Sequence, residues 1–105
     1  MGLTEADAKA LVSEGVLSAD YDEHKEAIEF YDKALKIIET GEIYLNKGIS
    51  LVELEKYDDA ILSYEKAIEI SPGYGDAWYN KGELLKHTGL EDEASVCFDK
   101  VNELE

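Results

Sequence analysis

The side chains of this chain that could ligate a metal or move a proton are two histidines, His24 and His87, one cysteine, Cys97, and a large set of carboxylates. A metal site needs several such ligands at matched spacing, and a cysteine nucleophile needs a base beside it. His24 and His87 fall near predicted hairpin turns, far apart in the chain, with no second histidine one helical turn away. There is no Gly-rich phosphate loop, no paired-histidine helix motif and no Gly-x-Ser-x-Gly elbow. Cys97 falls within a packed helix and reads as a small core hydrophobe, and the carboxylates read as solvated helix faces. The expectation is a protein without catalytic residues, metal or cofactor, whose chemistry is contact.

Charge narrows the contact. Twenty-five acidic side chains against ten basic ones give a net charge of −15, and every basic residue is lysine. Such a field repels a phosphate backbone or an anionic membrane, and the arginine fork suited to bidentate phosphate contacts is absent. Nucleic acid and membrane surfaces are therefore excluded as expected partners, in favour of apolar or basic polypeptides. Part of the acidity also serves solubility.

A chain of 105 residues, 45% apolar with one proline, suits a single folded, helix-rich domain over residues 1–105. A lone cysteine rules out an internal disulfide. The start, Met1-Gly2-Leu3-Thr4-Glu5, has no basic region followed by an apolar run, and no stretch approaches the roughly 20 apolar residues of a membrane span, so a cytoplasmic address is expected.

The elements that must position any contact surface repeat along the chain. Gly15, Gly48 and Gly82 are 33 and 34 residues apart, and five more series keep the same intervals: Ala27/Ala60/Ala94, Tyr31/Tyr64/Phe98, Leu11/Tyr44/Trp78, Ala34/Ala67/Val101 and Ile37/Ile70/Leu104. Periods of this length announce stacked supersecondary units. Within each unit the apolar spacing of three and four residues describes two helices. In the second unit Ile43, Tyr44, Leu51 and Leu54 mark one, and Ala60, Tyr64, Ala67, Ile68 and Ile70 mark the next, which Ser71-Pro72-Gly73 ends. The short connector around Glu55-Lys56 makes the pair antiparallel. Thr4 with Asp7 forms an N-cap box for the first helix. The fold class is all-α: six helices in three hairpins. Because glycine inside a helix costs about 1 kcal/mol relative to alanine, its recurrence calls for close packing. The expectation is that Gly15, Gly48 and Gly82 face Ala27, Ala60 and Ala94, with the aromatic series beside each crossing.

These residues resemble the tetratricopeptide repeat family. From Gly41 to Tyr74, Tyr44, Gly48, Leu51, Tyr57, Ala60, Tyr64, Ala67 and Pro72 stand on signature places; Trp78, Gly82, Leu85, Ala94 and Phe98 fit the same pattern over 75–105, where Val101 replaces the usual alanine. The first unit, about 8–40, is one residue short, lacks the proline and has Ser18 where a larger residue is usual. The resemblance implies a right-handed superhelical solenoid whose first helices line a concave groove. Its lining would be Lys9, Val12, Ser13, Val16, Ala19 and Asp20 from the first unit. The second would add Glu42, Leu45, Asn46, Ile49, Val52 and Glu53, and the third Asp76, Tyr79, Asn80, Glu83, Lys86 and His87.

An apolar row at Val12, Val16, Leu45, Ile49, Val52 and Tyr79, flanked by Asn46, Asn80 and Glu83, is the expected binding surface for an apolar, amphipathic or basic segment. The competing reading is a homo-oligomer, whose groove or C-terminal edge is covered by another copy. One subset of the family grips acidic chaperone tails with a clamp of Lys, Asn and Arg. The clamp's five places here hold Val12, Val16, Asn46, Asp76 and Asn80, and only Asn46 keeps its type, so no carboxylate clamp is expected. At the last unit, Ser95 replaces Ile28 and Ile61, and Asn102 replaces Leu35 and Ile68. This polar face suits a terminal unit, although Val96 and Leu104 leave apolar surface nearby.

Overall fold

The computed structural model describes residues 2–105 as six α-helices: α1 (Glu5–Asp20), α2 (His24–Leu35), α3 (Gly41–Glu53), α4 (Tyr57–Ile70), α5 (Gly75–His87) and α6 (Glu91–Leu104). The N-cap box forms as the sequence indicates. Asp7 N–H donates to Thr4 Oγ1 at 3.3 Å, and Thr4 N–H donates to Asp7 Oδ2 at 2.7 Å. Thr40 opens α3 in the same way, accepting from Ile43 N–H at 3.2 Å. α4 stops at Ile70, before Pro72. The short first unit has no such stop, and α2 ends two residues sooner than the α4 pattern, with Ile37 and Ile38 turning to pack against the first core.

Each hairpin turns through one left-handed residue: Asp22 at φ 61°, Glu55 at φ 59° and Gly89 at φ 89°. The flanking amides close the preceding helix, as where Lys56 N–H reaches Leu51 O at 2.9 Å and Glu55 N–H reaches Val52 O at 2.8 Å. Only the third turn has glycine, the residue that adopts this conformation without steric cost. Replacing Glu55 with glycine should therefore raise stability by about 0.5–1 kcal/mol, the relief of strain outweighing the greater freedom of the unfolded chain. A urea midpoint that falls instead would show that the Glu55 side chain stabilises the turn.

Packing is between neighbours only. The helices of each hairpin touch, α2 meets α3, and α4 meets α5. First helices also approach one another, α1 with α3 and α3 with α5, whereas the backbones of the second helices α2, α4 and α6 stay farther apart. The stack is therefore pinched along the first helices and splayed along the second. This leaves an elongated solenoid of 47 × 25 × 19 Å, with α1, α3 and α5 on its concave side.

Three core clusters follow the three hairpins. Ala27, Ala60 and Ala94 are all buried, the first two completely. The glycine contact differs from the small-against-small expectation. A Cβ on Gly15 would lie 2.5 Å from Tyr31 Cε1, one on Gly48 2.5 Å from Tyr64 Cε1, and one on Gly82 2.7 Å from Phe98 Cε1. The aromatic ring itself occupies the notch. An alanine opposite would leave the gap that the ring fills, so the glycine and aromatic series form a single packing device.

Units are also joined by ion pairs in register. Lys47 Nζ on α3 lies 2.7 Å from Asp32 Oδ1 on α2, and Lys81 Nζ on α5 lies 3.3 Å from Glu65 Oε2 on α4. At the first junction His24 Nδ1 is 3.2 Å from the buried Ser50 Oγ, which gives that histidine a structural place between units.

Candidate peptide-binding groove

The residues expected to line the groove lie at unequal depth. Val16 and Ile49, one repeat apart, are 39% and 38% exposed, and Tyr79 is 50% exposed. Val12 and Val52 are half-buried. Leu45 is a correction to the sequence reading: at 5% exposure it belongs to the central core cluster and offers a bound chain almost no surface. Its position faces the crowded contact of α3 with both neighbouring first helices, whereas its counterparts Val12 and Tyr79 each lie at one end of the stack.

Tyr79 leans on Phe98, with ring centroids 5.9 Å apart and planes inclined at 55°. The ring that fills the Gly82 notch thereby braces the most exposed aromatic of the groove. The two asparagines differ. Asn46 is half-buried and makes no side-chain hydrogen bond among the described residues, so both its donors and its acceptor are available. Asn80 spends one N–H on the Asp76 carbonyl at 2.7 Å and keeps its side-chain oxygen free.

Two hollows interrupt the face at the unit boundaries. One, of about 390 Å³, lies between α1 and α3 and is lined by Ala8, Lys9, Val12, Ile38, Thr40 and Ile43 among others. The second, of about 270 Å³, brings Val52, Asn80 and Glu83 together with Tyr57, Tyr64 and His87. Both are open and shallow, better matched to single side chains of an extended segment than to an enclosed small molecule. Tyr57, a hairpin-signature residue by sequence, also lines this hollow. Its hydroxyl lies 3.3 Å from His87 Nε2, and the rings meet edge to face at 5.4 Å. The 30-residue separation of the pair follows from stacking, and no local spacing signals it.

Charge on this face is unbalanced. Asp20, Glu42, Glu53, Asp76 and Glu83 are all exposed and outnumber Lys9 and Lys86. Two tyrosine hydroxyls are strongly shifted, chiefly by causes other than this charge. Burial, helped by Glu53, pushes the Tyr64 hydroxyl up to about 12, and a hydrogen bond to Glu39 followed by burial raises Tyr44 to about 12. A raised folded-state value means that ionisation is opposed by folding, so this stability is intact below pH ~10 and is lost as pH rises toward ~12. Burial also raises the Tyr31 and Tyr74 hydroxyls, so absorbance titration at 295 nm should show four of the seven tyrosines ionising late, with the delay abolished in denaturant. A single unperturbed transition for all seven would contradict the packing described.

Among the described residues no three His, Cys, Asp or Glu side chains converge to hold a metal. Cys97 is 3% exposed, and burial raises its thiol, opposed in part by Lys81. Among the described residues no helix is long and apolar enough to cross a membrane.

Comparison with known families bears on this geometry. The family model described as "Tetratricopeptide repeat" matches residues 8–40 and 75–105, and a second, described as "TPR repeat", matches 48–89. The chain belongs to the tetratricopeptide repeat family. An uncharacterized protein of Methanocaldococcus jannaschii is 38% identical over 61 residues, 58% of this chain and 71% of that one. The small glutamine-rich tetratricopeptide repeat-containing protein 2 of Saccharomyces cerevisiae is 30% identical over 97% of this chain, which spans only 30% of its length. Among solved structures, the second repeat domain of Spaghetti (RPAP3), bound to the HSP90 peptide SRMEEVD, superposes with a TM-score of 0.89 at 22% identity. The match covers 96% of this chain and 89% of that one. The two share the tetratricopeptide fold; in this chain Val16 on α1 and Asp76 on α5 are exposed.

Proposed function

We propose that this tetratricopeptide repeat protein is a non-enzymatic interaction module that holds an apolar or amphipathic segment with basic flanks along α1, α3 and α5. The observation that carries the reading is the exposed row Val16, Ile49 and Tyr79 within a rim of carboxylates. Apolar side chains of a bound segment would enter the two boundary hollows, Asn46 would hydrogen-bond its backbone, and Asp20, Glu53 and Glu83 would attract its lysines or arginines. A second copy of the chain is a poorer occupant of the groove, because association would bring two net charges of −15 together.

The reading is tested by titrating a panel of peptides that share an apolar centre and differ in flanking charge. Basic flanks should bind more tightly than acidic ones, by about tenfold or more at low salt, with the advantage shrinking as salt is added. Ile49→Glu should remove binding while the helical circular dichroism stays unchanged. Preference for acidic flanks, or full binding by the Ile49 variant, would overturn the proposal.

A further inference from the structure

The repeat register shows a second surface, remote from the groove. At both internal junctions a lysine on a first helix meets a carboxylate on the preceding second helix, Lys47 with Asp32 and Lys81 with Glu65. Counting back 33 residues from Lys47 reaches Glu14 on α1, so the first unit carries the opposite charge at that place; counting on 34 from Glu65 reaches Asp99 on α6. Around the internal lysines the first-helix face is covered, with Ile43 at 4% and Ser50 at 1% exposure in α3, and Ala77 at 0% and Leu84 at 3% in α5. The same positions on α1 are Ala10, which is exposed, and Leu17, which is 52% exposed. Leu3, Ala10, Leu11 and Glu14 border an open cleft of about 460 Å³ there.

We propose that this face of α1 docks a helix of a partner polypeptide that presents lysine or arginine opposite Glu14, between small or apolar side chains. The surface has the form of an internal junction with its charge reversed, and the reversal selects the occupant. Glu14 has no ion-pair partner among the described residues, whereas Asp7, the other carboxylate at the cleft, is engaged by Thr4. Lys33 and Lys36 also line the cleft, from α2, so the cation of the incoming helix belongs at Glu14 and its neutral or acidic residues belong over those lysines. A second copy stacked in the same geometry would set Asp99 against Glu14. It would also offer Ser95 and Asn102 where the internal junctions supply Ile28 or Ile61 and Leu35 or Ile68. The reversed charge thus favours a foreign helix and opposes end-to-end self-assembly.

The chain itself can be converted into the probe. Ser95→Ile with Asn102→Ile gives α6 the apolar character of an internal second helix, and adding Asp99→Lys supplies the cation. In sedimentation velocity the triple variant should associate head to tail about fivefold more tightly than the double variant that retains Asp99. Adding Glu14→Lys should cancel that gain in the triple variant and produce it in the double variant, with amide shifts at Ala10, Glu14 and Leu17 in each associating form. This exchange of charges gives a sign-dependent pattern that loss of folding cannot imitate, and thermal melts of each variant check the fold. The proposal is overturned if the parent stacks as tightly as the triple variant, if association ignores the signs at positions 14 and 99, or if the shifts miss α1.

Discussion

Gly48→Leu should destabilise the protein by about 3 kcal/mol or more, at the upper end of the cost of overpacking a core. The first added carbon already lies 2.5 Å from Tyr64 Cε1 and 2.7 Å from Cδ1, distances that van der Waals contact forbids. The ring cannot swing aside, because Tyr64 is 2% exposed and packed within the central cluster. The smaller change Gly48→Ala decides the sign of the argument. In an ordinary helix it would gain about 1 kcal/mol from propensity, but here the clash should turn that gain into a loss. Total stabilities are ~5–15 kcal/mol, so the leucine variant should lose a large share and its thermal midpoint should fall by more than about 12 °C. Chemical denaturation with an unchanged slope would attribute the loss to the folded state. A leucine variant that melts with the parent would show that α3 and α4 do not cross at Gly48.

Tyr64→Ala should cost a comparable ~3–5 kcal/mol from the other side of the same contact, by leaving a cavity where the ring had been. Because the glycine notch and the ring are complementary, the two effects should not add. Gly48→Leu placed on Tyr64→Ala should be milder than the sum of the single losses, since the new side chain grows into the vacated space. Additive losses would mean that the two residues do not share one cavity.

The six helices were legible because each level of the sequence agreed: the 33- and 34-residue intervals, the apolar spacing inside each unit, Thr4 with Asp7 at the start and Pro72 after α4. What escaped was geometry that no residue type declares. The glycine and aromatic series were both visible, but their direct contact depends on how deeply Tyr31, Tyr64 and Phe98 reach across the hairpin, a rotamer fact that spacing does not contain. The left-handed turns at Asp22 and Glu55 were hidden because only Gly89 has the residue that advertises such a turn. The shared face of the three first helices was readable. Its depth was not, and Leu45 shows why: the position equivalent to Val12 and Tyr79 is buried when it lies in the middle of the stack. Tyr57 and His87 meet only because one unit is stacked on the next. The junction lysines obey the repeat interval, yet their meaning, and that of Glu14, emerges only when Asp32 and Glu65 are seen opposite them.

The most direct test of the central claim is amide chemical-shift mapping of the chain against a peptide with an apolar centre and lysine flanks. Shifts concentrated at Asn46, Ile49, Val52 and Tyr79, weakening as salt is raised, are the predicted result. Shifts confined to the convex helices α2, α4 and α6, with the concave residues unmoved at saturation, would contradict the account.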